Sequence, residues 1–142
     1  MKGFTGYEMF WPIGAHAALV YGLYGVLRVR RMRMFRAGRL KIDEFRENRS
    51  EPTESRVVNH CIANQFELPI LFYVCCILTY ITEADNVVSL ALAWLFIALR
   101  YAQAYVHITS NNIKIRSNLF MAGFAALGGM WLWLLIWMAT SP

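Results

Sequence analysis

From Leu119 to Ala139 the chain runs for 21 residues, LFMAGFAALGGMWLWLLIWMA, without one charged side chain. A helix rises about 1.5 Å per residue, so a run of this length covers the roughly 30 Å hydrocarbon core of a bilayer. Three more apolar tracts, Phe10 to Leu27, Leu68 to Thr82 and Val87 to Leu99, reach spanning length once the sparse polar residues beside them are counted in. The 58% hydrophobic content over 142 residues exceeds that of an ordinary soluble domain. The pattern predicts an all-α integral membrane protein, one domain over 1–142, with spans at about 8–30, 57–82, 86–109 and 114–140. The segment before the first span lacks the marks of a cleaved leader, so that span is expected to persist.

Charge placement gives an orientation. Of 14 basic residues, ten lie between Arg28 and Arg56 and two, Lys114 and Arg116, lie between the third and fourth spans. The positive-inside rule then places both basic loops, the long one at 31–55 included, in the cytoplasm and both termini outside. This placement accounts for the basic balance without nucleic acid and leaves membrane lipids as the expected partners of the loops. The connectors TEADN and TSNNIK are short, so consecutive helices should pack antiparallel as an up-down-up-down four-helix bundle. Cys61, Cys75 and Cys76 fall within the second span at no metal-ligating spacing, and they read as buried apolar thiols.

Against this apolar background, HCIANQFELPILF is anomalous. His60, Asn64 and Glu67 are separated by four and three residues and so share a face of a continuous helix. Pro69 follows, where a proline frees a backbone carbonyl one turn back. In the third span Arg100, Gln103 and His107 recur at helical spacing. An arginine within a span costs about 2.5–3.5 kcal/mol and demands a partner. Glu67 is one candidate partner, as a buried ion pair fixing helix register; the alternative is a polar pocket. Arg28 at the end of the first span, and Arg116 and Ser117 at the start of the fourth, fall at the same level. Helix starts favour anions. A small ligand with several carboxylates and one amine matches such a layer, with arginine for the carboxylates and Glu67 for the amine.

These residues resemble the MAPEG family, the membrane-associated proteins of eicosanoid and glutathione metabolism. The likeness is carried by GVLRVRRMRMF, by NQFELPILF as an Asn-x-x-Glu-x-x-Pro pattern, and by RYAQAYVHITSNNIKIRS, and it covers nearly the whole chain. It implies a homotrimer with glutathione as co-substrate between neighbouring subunits on the cytoplasmic side. Arg28, His60, Asn64, Glu67, Arg100 and Gln103 are then the expected binding residues, Arg100 as a structural or wall charge. Arg116, Ser117 and His107 are the expected catalytic ones. The chain departs from many members at His60 and Ala63, where they carry arginine, at His107 in place of a tyrosine, and at Gln103 in place of a histidine. Fewer cations mean weaker anchoring of glutathione carboxylates. These departures suit a bacterial-type member of the inner membrane better than a dedicated leukotriene or prostaglandin synthase.

The resemblance thus implies a glutathione-dependent transferase or peroxidase acting on lipophilic small molecules, with no metal. MWLWLLIWM is expected to anchor the fourth span at the interface or to line a groove for the lipophilic substrate. The competing reading is a non-catalytic membrane protein, or an accessory subunit, that binds a small anionic lipid or metabolite in the same pocket. A transporter is disfavoured because no inverted repeat or pair of discontinuous helices is visible.

Overall fold

The computed structural model describes residues 6–39 and 51–141. Its regular structure is helical throughout: α1 (Phe10–Arg36), α2 (Thr53–Ala63), a 3-10 turn (Asn64–Phe66), α3 (Leu68–Ile81), α4 (Val87–Ile108) and α5 (Ile113–Thr140). Four helical stretches are long and apolar enough to cross a membrane, the second being α2, the turn and α3 taken together. Only 22, 39, 39 and 28% of their most apolar windows is buried within the chain, so most of each apolar surface is left to lipid or to another protein.

The first helix runs past the expected boundary at 30 and ends at Arg36. Arginine and methionine are good helix formers, and arginine stems cover apolar surface while their heads reach water. Gly38 stops it, at φ +67°, where Gly38 N–H bonds the Phe35 carbonyl and Arg39 N–H the Met34 carbonyl, both at 3.0 Å. A left-handed glycine after the last turn is a usual helix stop. At the other side α2 begins at Thr53, behind Pro52 in extended backbone at ψ 145°. The loop expected over 31–55 is therefore shorter at both ends; its centre, residues 40–50, lies outside the described residues.

The second span departs most from the expected continuous helix over 57–82. It tightens to a 3-10 turn at Asn64–Phe66, and Glu67 sits at φ −90°, ψ −95° before α3 restarts at Leu68 with Pro69 in its first turn. Proline has no N–H, and its ring collides with the carbonyl four residues earlier, so the helix cannot pass through this point unchanged.

Two apolar clusters fill the interior. Phe72, Cys75 and Cys76 of α3 pack with Ala93, Phe96 and Ile97 of α4 and with Ala126, Leu127, Met130 and Leu134 of α5, with the Phe72 and Phe96 rings stacked 4.6 Å apart. The other cluster joins Leu19, Leu23 and Leu27 of α1 to Val58, Cys61 and Ile62 of α2 and Ala104 of α4. All three cysteines are buried and free, as the apolar reading expects. Between the two clusters in chain order fall His16, Asn64, Gln65, Arg100 and Gln103. A polar layer therefore divides the core.

The helix ends are tied locally. Asn86 caps α4 through a reciprocal pair with Ser89, its Oδ1 accepting from Ser89 N–H and its own N–H donating to Ser89 Oγ, each at 2.9 Å. Asn112 Oδ1 accepts from the backbone N–H groups of Lys114 and Ile115 at 3.1 and 3.3 Å to open α5. Trp133 and Trp137 donate their indole N–H groups to the carbonyls of Ala84 and Thr82 at 3.0 and 2.9 Å, so these two tryptophans of MWLWLLIWM pin the α3–α4 turn. Replacing the reciprocal cap, Asn86→Ala, is expected to lower unfolding free energy by about 1 kcal/mol, measured by denaturant titration in detergent; an unshifted midpoint would show that the cap is idle.

Candidate functional site

On α4, Arg100, Gln103 and His107 are all buried, at 2, 4 and 3% exposure. Arg100 Nη1 donates to Gln103 Oε1 at 2.5 Å, one turn along the same helix, and Nη2 donates to the Asn64 carbonyl at 3.3 Å. The guanidinium carbon also lies 5.4 Å from the Phe96 ring centroid and 5.7 Å from that of Phe120. Two aromatic faces and two oxygens thus offset the cost of burying the charge. Arg100 Nε is buried with no hydrogen-bond partner among the described residues.

The ion pair weighed for Arg100 and Glu67 does not form: no salt bridge joins them among the described residues, and Glu67 is exposed on the chain's outer surface. The helix break is the cause. A 3-10 turn advances about 120° per residue against 100° in an α-helix, so a face drawn with α-helical spacing through residues 60, 64 and 67 does not survive the turn. Gln65 goes inward instead. It is 2% exposed, its Oε1 lies 3.1 Å from His16 Nε2, and its Nε2 donates to the Cys61 carbonyl at 3.2 Å. The other His16 ring nitrogen, Nδ1, is hydrogen-bonded to the Tyr73 hydroxyl. Helical spacing does not reveal this hydrogen-bonded series from α1 through the turn to α3; its signal in the sequence is the isolated His16 in an apolar tract, which a span buries only against a partner.

Beside the layer lies a cavity of about 340 Å3. His60, Ala63 and Asn64 form one wall, His107 and Asn111 another, and Arg116 a third. Arg116 Nη1 donates to Asn111 Oδ1 at 2.7 Å. Asn111 has left-handed backbone, φ +49°, a conformation asparagine tolerates, and its N–H bonds the Val106 carbonyl at 2.7 Å to end α4. Two imidazoles, two amides and a guanidinium therefore line one space, a set suited to carboxylates and to a developing thiolate.

Four of the nine expected residues line this cavity: His60, Asn64, His107 and Arg116. Arg100 and Gln103 sit behind it, bonded to each other and to the Asn64 backbone. Arg28, Glu67 and Ser117 are exposed. Asn111, within the TSNNIK connector, also belongs to the wall.

The first three helical spans, most of the fourth, the Asn64 to Pro69 break and the Arg116 wall fall within residues 9–136, the stretch of the chain that matches the MAPEG family. The chain belongs to the MAPEG family. No match emerges among curated proteins or among solved structures. Four apolar helices together with MAPEG membership identify an integral membrane protein.

Within this MAPEG chain the polar layer is what holds the cavity wall in place, because Asn64 is fixed through its carbonyl by Arg100 and through its neighbour Gln65 by His16. Gln65→Leu should lower stability by about 1–3 kcal/mol, the cost of leaving the buried His16 without its acceptor. The readout is the thermal unfolding midpoint in detergent, and a variant as stable as the parent would mean that the bond is dispensable.

Proposed function

We propose that the protein is a glutathione-dependent membrane transferase or peroxidase acting on lipophilic electrophiles or hydroperoxides. The observation that carries this reading is the cavity in which Arg116, His107, His60 and Asn64 converge. MAPEG membership is consistent with it.

Glutathione presents two carboxylates, one amine and one thiol. Arg116 is the cation for the thiolate. A free thiol has a pKa near 8.5, and an adjacent guanidinium lowers it, raising the reactive fraction at neutral pH. His107 and Asn64 offer hydrogen bonds to the remaining polar groups, and His60 adds one more at the rim. In the conjugation step the thiolate sulfur forms a bond to the electrophilic carbon, and the leaving group departs with the electron pair.

Glu67, Arg28 and Ser117 support an assembly. Each is exposed on the isolated chain, and no hydrogen bond or ion pair holds any of their side chains among the described residues. A carboxylate left facing lipid is costly, about 2.5 kcal/mol or more on insertion scales. In the proposed homotrimer of up-down-up-down bundles, these groups face the neighbouring subunit and complete the ligand's coordination, Glu67 meeting the amine and Ser117 donating to the sulfur. The proposed orientation keeps termini outside and basic loops cytoplasmic, in a bacterial inner membrane.

Glutathione conjugation to chlorodinitrobenzene by the purified protein tests the reading. Arg116→Ala is expected to lower kcat/KM by about 100-fold, on the scale of losing one preorganised donor, and to move the rate profile to higher pH, because the thiol regains its ordinary acidity. Titration calorimetry with glutathione separates the competing reading: binding without turnover, unchanged by Arg116→Ala, identifies a non-catalytic binder.

A further inference from the structure

A second cavity, about 480 Å3, lies where the C-terminal part of α1, the start of α2 and the end of α4 meet. Arg30 and Arg33 come from α1, Thr53 and Glu54 from α2, and Thr109 from the end of α4. None of these five residues lines the cavity assigned to glutathione.

Arg30 is held by backbone alone. Its Nη1 donates to the Glu54 carbonyl at 3.0 Å and its Nη2 to the Ile108 carbonyl at 2.6 Å, while no carboxylate pairs with it among the described residues. The carbonyl end of α4 carries roughly half a negative charge, so it offsets only part of the guanidinium. Arg33 stands three residues on, exposed, with no partner among the described residues. Arg31 differs, since its Nη2 meets Glu51 Oε1 at 2.6 Å. The acid on the cavity wall, Glu54, has its carboxylate 3.9 Å from Arg39, which shares its charge. The balance at this wall is positive.

The place matters as much as the sign. α1 leaves its apolar stretch at Arg28, so these cations sit at the edge of the bilayer, between helices, where basic pockets meet lipid headgroups. A guanidinium fixed by two carbonyls loses little freedom on binding an anion, and a threonine hydroxyl beside it is a natural donor to a phosphate oxygen. From this geometry we infer that the α1–α2–α4 cavity binds a phosphate-bearing anionic group, with Arg30 as the fixed cation, Arg33 as the second and Thr53 as a hydroxyl donor. The group is either the headgroup of an anionic phospholipid or a soluble phosphate.

The full-length protein is incubated with equal amounts of phosphatidylglycerol and phosphatidylcholine, and retained lipid is read by native mass spectrometry. In parallel, inorganic phosphate is titrated while the thermal midpoint is followed in detergent. Preferential retention of phosphatidylglycerol, reduced roughly fivefold in Arg33→Glu as expected for one surface cation against anionic lipid and increased in Glu54→Gln, supports the site with a lipid source. A phosphate-dependent rise of the midpoint that Arg33→Glu abolishes, without lipid preference, supports it with a soluble source. Equal retention of both lipids together with no phosphate effect, or binding that Arg33→Glu leaves unchanged, overturns it. Arg33 is exposed, so circular dichroism should show the variant folded, and its glutathione binding should match the parent; the inference stands or falls apart from the glutathione reading.

Discussion

The guanidinium of Arg100 is the group around which the rest of the interior is arranged. A full charge inside a span is tolerated only when oxygens and aromatic faces surround it. Here Gln103 lies on the same helix, the Asn64 carbonyl is supplied by the break in the second span, and Phe96 and Phe120 face the guanidinium. The break is thus more than a consequence of Pro69: it presents backbone oxygen toward a cation that a continuous helix, with its carbonyls bonded along its own axis, would serve less well. Charge, proline and interrupted helix form one arrangement.

That arrangement also divides the core. The apolar cluster of α3, α4 and α5 and the cluster of α1, α2 and α4 are separated by the layer of His16, Gln65, Arg100 and Gln103. Apolar packing offers little directional preference in lipid, where helix faces are as comfortable against acyl chains as against one another. Buried hydrogen bonds do discriminate, because each displaced partner leaves an unsatisfied group. The layer therefore sets the relative height of three spans, and the cavity beside it inherits its shape from that setting.

Much of this was legible from residue order. The four spans follow from apolar length; His60, Asn64 and His107 follow from helical spacing and Arg116 from its place at the start of the fourth span, and the four converge on one cavity. A spacing of 3.6 residues per turn puts Glu67 on the inner face as a partner for Arg100, whereas the 3-10 turn leaves it exposed and buries Gln65. Pro69 announced a disturbance without saying which residues it would rotate. The end of α1 was underestimated because basic residues were read as loop, although Gly38 is the helix stop and arginine is a good helix former. The trimer is implied by the family resemblance, and the side chains that would join it are exposed on their own chain, where residue order gives no geometry.

Asn111 has a double engagement: its backbone N–H closes the last turn of α4 on Val106, and its side-chain oxygen holds Arg116 on the next helix. It also stands in the wall of both cavities. The end of α4, the start of α5 and the walls of both chambers are thus fastened at one residue, so the shape of each chamber depends on the same asparagine.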